Sequence, residues 1–189
     1  VLLFINLKLY ASFNEGETLS RHWIEILPGL NLSFRVDALG LLFGLVASLL
    51  WPVTTLYAIG YMRGHNEDHQ TRFYVCFAIA IAAVMAIAYA ENLFTLFVFY
   101  EVLSLCTYPL VTHAGTEKAK QGGRVYLGIL MGTSIAFFLP AIIVTWLVAG
   151  SLDFQQGGIF PAQTPIALLS LLLVLFVFGV AKAAVMPFH

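Results

Sequence analysis

Five apolar runs, each long enough to cross a lipid bilayer as a helix, dominate this 189-residue chain. The first of them, 38–62, continues for 25 residues without a charged side chain. At a rise of about 1.5 Å per residue, such a helix exceeds the roughly 30 Å thickness of the hydrocarbon core. Charged residues make up only 10% of the chain, against about 25% in an average soluble domain. The pattern predicts an all-α polytopic transmembrane helix bundle.

The chain divides into a short N-terminal part and this bundle. Residues 1–37 begin with an apolar stretch, which we interpret as the end of a preceding helix, and continue as an extramembrane connection. Partial alternation over 30–36 indicates either a short strand or an extended approach to the membrane. Residues 38–189 form the bundle, with spans predicted at about 38–62, 73–90, 93–112, 125–149 and 165–185. The chain begins with valine and stops directly after an apolar run, so we expect it to be part of a longer protein.

The start of the first span carries two structural signals. Asp37 stands immediately before it, where a carboxylate is placed to cap the N-terminus of a helix. Gly40, Gly44 and Ser48 then follow at four-residue spacing. This small-residue face predicts the close approach of a neighbouring helix.

Basic residues in the polar segments predict the orientation, because Lys and Arg are concentrated in cytoplasmic loops. Segments 63–72 and 115–124, both interpreted as loops, hold Arg63, Arg72, Lys118, Lys120 and Arg124. The opposite side carries Arg21 and Arg35 among several acidic residues. We therefore expect 63–72 and 115–124 to face the cytoplasm.

One carboxylate, Glu101, lies near the middle of the third span. A charge at the bilayer centre costs about 2.5 to 3.5 kcal/mol on insertion scales, and the short glutamate stem cannot reach the headgroups from there. Ser104 and Tyr108 follow at i+3 and i+7, so the three side chains would form one polar stripe. Two interpretations stay open: a protonated acid bonded to a neighbouring helix, and a titrating carboxylate on a proton pathway.

Lys182 is the second charge in the apolar part of the chain. Counted from Pro165 along an unbroken helix, it lies about 26 Å into the span, near the cytoplasmic edge, where a lysine can snorkel. It lies deeper if the helix breaks near Gly179 or Pro187, as helices do at ion sites. Burial disfavours the charged forms of Lys182 and Glu101, whereas proximity stabilises both. A change in their separation would therefore move a proton.

Other chemistry is not indicated. The net charge of −1 argues against nucleic acid as a partner, because phosphate binding needs a basic face. Cys76 and Cys106 stand 30 positions apart in apolar runs and are interpreted as packing residues. His65 and His69 have helical metal-ligand spacing, but their polar surroundings favour a loop. We expect no catalytic residue, no metal site and no bound cofactor.

Three segments resemble one protein family. They are Asp37-Ala-Leu, the segment 92–105 around Glu101, and the segment 179–189 with Lys182. In combination they resemble the proton-translocating antiporter-like membrane subunits. That family includes membrane-arm subunits of respiratory complex I, related hydrogenase subunits, and the A-type and D-type subunits of Mrp-type cation/proton antiporters. The segment 108–113 and the residues after it are most similar to the D-type Mrp subunits.

The resemblance implies a fold of roughly 14 helices with two inverted repeats of five helices, each containing a broken helix. This chain would cover the early helices and most of the first repeat. The resemblance also implies that Glu101 and Lys182 form the charge pair of the first half-channel, with Lys182 at the helix break.

The function implied is proton translocation by a membrane subunit of a multisubunit monovalent cation/proton antiporter. Two alternatives stay open: a non-redox membrane-arm subunit of an NADH:quinone oxidoreductase or membrane-bound hydrogenase, and a structural scaffold subunit. The expected partners are other membrane subunits, the lipid bilayer, protons, and Na⁺ or K⁺. The expected location is a bacterial inner membrane, crossed several times.

Overall fold

Seven α-helices and one β-hairpin make up the described part of the chain, which comprises residues 1–27, 29–180 and 182 of a computed structural model. The helices are α1 (Leu2–Asn14), α2 (Ala38–Gly64), α3 (Gln70–Ala88), α4 (Leu93–Val111), α5 (Glu117–Thr133), α6 (Leu139–Ala149) and α7 (Ile166–Gly179). A π-helical segment, Ser134–Phe138, joins α5 to α6. The hairpin pairs β1 (Ser20–Leu27) with β2 (Leu30–Arg35) in antiparallel register. The predicted helical membrane fold is confirmed, as is the strand alternative for 30–36, which is β2; β1 is an addition.

Within the described residues, four helical stretches are long and apolar enough to cross a membrane: Ala38–Gly64, Gln70–Ala88, Leu93–Val111 and the run Glu117–Ala149. The helix Ile166–Gly179 is equally apolar but shorter. Large apolar side chains cover the outer surface, and Leu39, Leu56 and Leu147 are each more than 70% exposed. A surface of this kind is unfavourable in water and ordinary against lipid. The chain is an integral membrane protein.

The charged segment before the fourth predicted span is mainly helical, so the loop predicted over 115–124 is wrong. α5 begins at Glu117, and the Thr116 hydroxyl caps it by accepting the Ala119 amide at 3.1 Å. One turn along, Lys120 pairs with Glu117 at 2.9 Å. Alanine, lysine and glutamine are all good helix formers. High charge alone therefore did not distinguish a loop from a polar helical extension of the span.

The start of α2 packs directly against the end of α3. The Asp37 carboxylate accepts the Gly40 amide at 2.6 Å, which confirms the predicted cap. A Cβ at Gly40 would collide with the carbonyl oxygen of Ala88, and one at Gly44 would collide with the Tyr89 hydroxyl. The close helix approach predicted from the small-residue face is therefore confirmed.

Replacing Asp37 with alanine should lower the free energy of unfolding by about 1 kcal/mol, because it removes the α2 cap. Asp37→Asn is the matched control, since asparagine caps about as well as aspartate. The measurement is the thermal unfolding midpoint of the purified protein in detergent. Equal losses in the two variants would show that the charge matters and the cap does not.

A buried polar network fixes the start of α4 against the hairpin. Asn92 accepts the Thr95 amide at 2.7 Å through Oδ1. Its Nδ2 donates to the Asn31 carbonyl at 2.9 Å and to the Ser33 hydroxyl at 2.8 Å. The Ser33 amide in turn donates to Thr95 Oγ1 at 3.0 Å. Asn92, Ser33 and Thr95 are each at most 3% exposed, so hydrogen bonds from β2 position the helix that carries Glu101.

The end of α7 lies against the π-helical segment. Pro140 follows this segment and has no amide hydrogen, so the regular i to i−4 ladder is interrupted there. A Cβ at Gly179 would lie 2.7 Å from the backbone of Phe138, which means that only glycine permits this approach. Phe138 belongs to the buried apolar cluster whose other members are Tyr100, Ile142 and Leu152. The cluster joins α4, α6 and the end of α7.

Candidate functional site

Glu101 lies in α4 with its carboxylate enclosed by the bundle. Both carboxylate oxygens are buried, and neither has a hydrogen-bond partner among the described residues. An ionised carboxylate without partners is strongly disfavoured in a low-dielectric interior. The carboxylate is therefore a costly group for this position, which needs a partner or a role that compensates its burial.

Lys182 is held on Tyr100, the residue directly before Glu101 in the chain. The Lys182 ammonium donates to the backbone carbonyl oxygen of Tyr100 and lies 3.4 Å from the centre of its ring. The Lys182 amide donates to the Tyr100 hydroxyl at 3.2 Å, and that hydroxyl donates to the carbonyl oxygen of Gly179 at 3.5 Å. A cation on a desolvated aromatic face gains about 2 kcal/mol or more. Tyr100 therefore fixes both the backbone and the ammonium of Lys182.

Glu101 and Lys182 lie in the same part of the bundle, because the Lys182 ammonium contacts Tyr100, the residue before Glu101. No ion pair within 4.0 Å joins them in the ranges that the structure describes. In a low-dielectric interior, unit charges attract over longer distances than they do in water. A small displacement therefore changes the energy of each charge without breaking a bond between them.

The other two residues of the predicted stripe lie in different surroundings. Ser104 is fully buried, and its hydroxyl donates at 3.3 Å to the Tyr100 carbonyl oxygen, the same atom that accepts the lysine ammonium. Tyr108 lies one turn further along α4, where a glycine of α5 leaves room for its ring. Neither residue is hydrogen-bonded to Glu101 within the described part of the chain. The structure thus places Ser104 at the same Tyr100 carbonyl as Lys182, whereas Tyr108 lies where α4 packs against α5.

The depth of Lys182 differs from the value obtained by counting along an unbroken helix. α7 ends at Gly179, three residues before Lys182. Contact with Tyr100 places the ammonium beside the middle of α4. Of the two predicted positions of a break, Gly179 is where α7 ends, whereas Pro187 and the predicted end of the fifth span at 185 lie outside the described residues.

Tyr100 is the site residue that the sequence did not single out. It is 8% exposed and stands in an aromatic run of α4. A tyrosine in such a run is equally typical of packing, because its polar tip needs only one hydrogen-bond partner. The available signals were its position before Glu101 and four residues before Ser104, and neither points to a lysine 82 residues away.

Two protein-family profiles match the chain. The profile described as "NADH:quinone oxidoreductase/Mrp antiporter, TM" matches residues 90–189, a range that contains both Glu101 and Lys182. The profile described as "NADH-Ubiquinone oxidoreductase (complex I), chain 5 N-terminus" matches residues 23–74. The first match alone covers more than half of the chain.

Two curated relatives show how much of a whole protein is represented. Hydrogenase-4 component B of Escherichia coli (strain K12) is 30% identical over 174 residues, which are 92% of this chain and 26% of that protein. The A-type subunit of the Na(+)/H(+) antiporter of Alkalihalophilus pseudofirmus is 28% identical over 195 residues, and the match covers 85% of this chain and 24% of that protein. The chain thus spans about a quarter of the length of these relatives. The greater similarity to the D-type Mrp subunits stays a prediction.

The fold also occurs in a solved structure, that of the Mrp complex from Dietzia sp. DQ12-45-1b. The two chains superpose with a TM-score of 0.74 at 23% identity, covering 100% of this chain and 35% of the other. At this level of identity the likeness establishes the fold. With the profile match over residues 90–189, the chain belongs to the NADH:quinone oxidoreductase/Mrp antiporter transmembrane family.

Proposed function

We propose that this chain is part of a proton-translocating membrane subunit of a multisubunit monovalent cation/proton antiporter. The observation that carries the proposal is the buried, unpartnered carboxylate of Glu101 beside the Lys182 ammonium on Tyr100. Relatives named as antiporter subunits support the reaction class. Lys182 accepts and releases the proton, and Glu101 tunes its affinity through electrostatic attraction.

The charge balance of the site explains how a proton can move. With Glu101 ionised nearby, the protonated Lys182 is stabilised by attraction; with Glu101 neutral or further away, burial favours the neutral amine and the proton leaves. A tenfold change in proton affinity requires only about 1.4 kcal/mol. The energy for the cycle would come from a gradient of Na⁺ or K⁺ across the membrane.

Ser104 and Tyr108 are proposed to continue the proton pathway along α4. The Ser104 hydroxyl shares the Tyr100 carbonyl with the lysine ammonium, so it lies where a proton would leave Lys182. Tyr108 carries the next polar tip, one turn further along the helix. Hydroxyl groups suit this role because each can both donate and accept.

A second candidate is a membrane-arm subunit of an NADH:quinone oxidoreductase or membrane-bound hydrogenase. It is favoured by the description of the matching profile and by the 30% identity with hydrogenase-4 component B. The chemistry at Glu101 and Lys182 would be the same, and the energy would come from redox subunits. In either case we propose other membrane subunits as partners and a multi-pass location in a bacterial inner membrane. Neighbouring genes for small antiporter subunits or for redox modules would separate the two.

Glu101→Gln tests the proposal in the reconstituted full-length complex. We expect coupled proton flux to fall about tenfold, because loss of the carboxylate charge removes an interaction on the order of 1.4 kcal/mol from Lys182. Flux is measured with a pH-sensitive dye in the vesicle lumen. Glu117→Gln is the matched control, since that side chain is 83% exposed at the start of α5. Normal flux in an intact Glu101→Gln complex would favour a scaffold in which the two charges are only structural.

A further inference from the structure

A groove between α2 and α3 changes character along its length. Its α2 wall consists of side chains four residues apart, which share one helix face: Trp51, Thr55, Ile59 and Arg63. Its α3 wall consists of Gln70, Tyr74, Phe77 and Ala78. The groove encloses about 390 Å³. It is separate from Glu101 and Lys182, and the proposed proton pathway does not use it.

The inner end of the groove is aromatic, and the outer end is polar. The ring centres of Trp51 and Phe77 lie 4.6 Å apart, and the two rings close the inner end. At the outer end, the exposed Arg63 guanidinium has no hydrogen-bond or ion-pair partner within the described residues. The nearby Tyr74 hydroxyl is buried and likewise lacks a partner there. A ligand that suits both ends has a long apolar part and one anionic group.

The length of the groove suits an extended apolar chain. Trp51 and Arg63 are about 18 Å apart along α2 by helical rise. An apolar chain that lies along the groove from Trp51 would therefore carry its anionic group at Arg63.

We propose that this groove binds one anionic phospholipid, with its phosphate on Arg63 and one acyl chain along the aromatic floor. A guanidinium forms paired, charge-assisted hydrogen bonds with phosphate oxygens. Tyr57 and Tyr61, exposed by 72% and 48% on the same end of α2, mark the level at which headgroups lie. The distribution of basic residues predicts that this end faces the cytoplasmic leaflet, where anionic lipids are concentrated.

Native mass spectrometry of the full-length protein, titrated with phosphatidylglycerol or phosphatidylcholine of identical acyl chains, tests the site. We expect Arg63→Gln to lose one tightly bound phosphatidylglycerol, with at least a tenfold rise in its dissociation constant, and to leave phosphatidylcholine binding unchanged. Arg72→Gln is the matched control, because its guanidinium faces the His113 carbonyl at 3.5 Å, outside the groove. An unchanged phosphatidylglycerol count in Arg63→Gln overturns the proposal.

Ala78→Trp examines the acyl end of the same site. Ala78 is exposed in the groove wall, so a larger side chain fills the groove without entering the core. We expect this variant to lose the same single lipid while keeping the unfolding midpoint of the parent protein. Loss of phosphatidylglycerol in Arg63→Gln but not in Ala78→Trp would overturn the acyl-chain position and leave a surface phosphate contact. Equal affinity of the parent protein for both lipids would likewise contradict a site for an anionic headgroup.

Discussion

Replacing Lys182 with alanine is expected to lower coupled proton transport at least a hundredfold. The variant removes the proposed proton carrier itself, whereas Glu101→Gln only alters its affinity. A hundredfold loss corresponds to about 2.7 kcal/mol, which is modest for the removal of a partly buried charge with a cation–π contact and a charge-assisted hydrogen bond. The measurement is dye-detected proton flux in vesicles that contain the full-length complex. Subunit content is verified on the same sample.

Lys182→Arg separates a proton carrier from a structural cation. Arginine keeps the positive charge and can contact the Tyr100 ring, but it does not release its proton in proteins. We therefore expect an assembled complex whose transport is as low as that of Lys182→Ala. Recovery of transport in the arginine variant would show that Lys182 supplies only a fixed charge. Lys118→Ala, at the surface-exposed start of α5, serves as the control and should transport normally.

The apolar runs predicted the helices because a lipid bilayer requires apolar side chains along the whole length of a span. The charged segment 115–124 shows where this reasoning fails. Its residues are unsuitable for the membrane interior, yet they favour a helix, and Thr116 supplies the cap. Hydropathy reports the surroundings of a segment, whereas its conformation also depends on propensity and capping. The sequence did not predict β1 for a related reason. Its strand conformation depends on hydrogen bonds to β2, and these are not visible in the local sequence of β1.

The sequence predicted the charged residues of the candidate site but not the tertiary contacts that bring them together. Glu101 and Lys182 stand out because charges are rare in apolar runs. Their relation depends on Tyr100 and on the approach of Gly179 to Phe138, which are tertiary contacts between distant segments. Local spacing therefore left two depths open for Lys182, one for an unbroken helix and one for a helix that breaks near Gly179. A local sequence pattern can identify a charged residue that is unfavourable in the membrane, but the residues that contact it come from distant segments and depend on the fold.

The position of Glu101 depends in turn on the start of α4, and Asn92→Ala tests that dependence. The variant removes the cap of α4 and leaves the buried Ser33 hydroxyl without its Asn92 donor, whereas the Asn31 carbonyl keeps the Thr95 hydroxyl at 3.4 Å. A lost cap costs about 1 kcal/mol, and each buried unpartnered group costs about 1 to 3 kcal/mol. We expect the free energy of unfolding to fall by about 3 kcal/mol, measured as the thermal unfolding midpoint in detergent.

Asn31→Ala is the matched control for this network, because Asn31 contributes its backbone carbonyl while its side-chain oxygen has no partner in the described part of the chain. We expect that variant to change the unfolding midpoint little. Hydrogen exchange of the β2 amides should accelerate in Asn92→Ala and not in the control, since the Asn92 side chain joins β2 to α4. If both variants lose the same stability, the hairpin is held by its general packing. If only Asn92→Ala loses stability, and its proton flux falls as well, the hairpin sets the position of Glu101 from outside the spans.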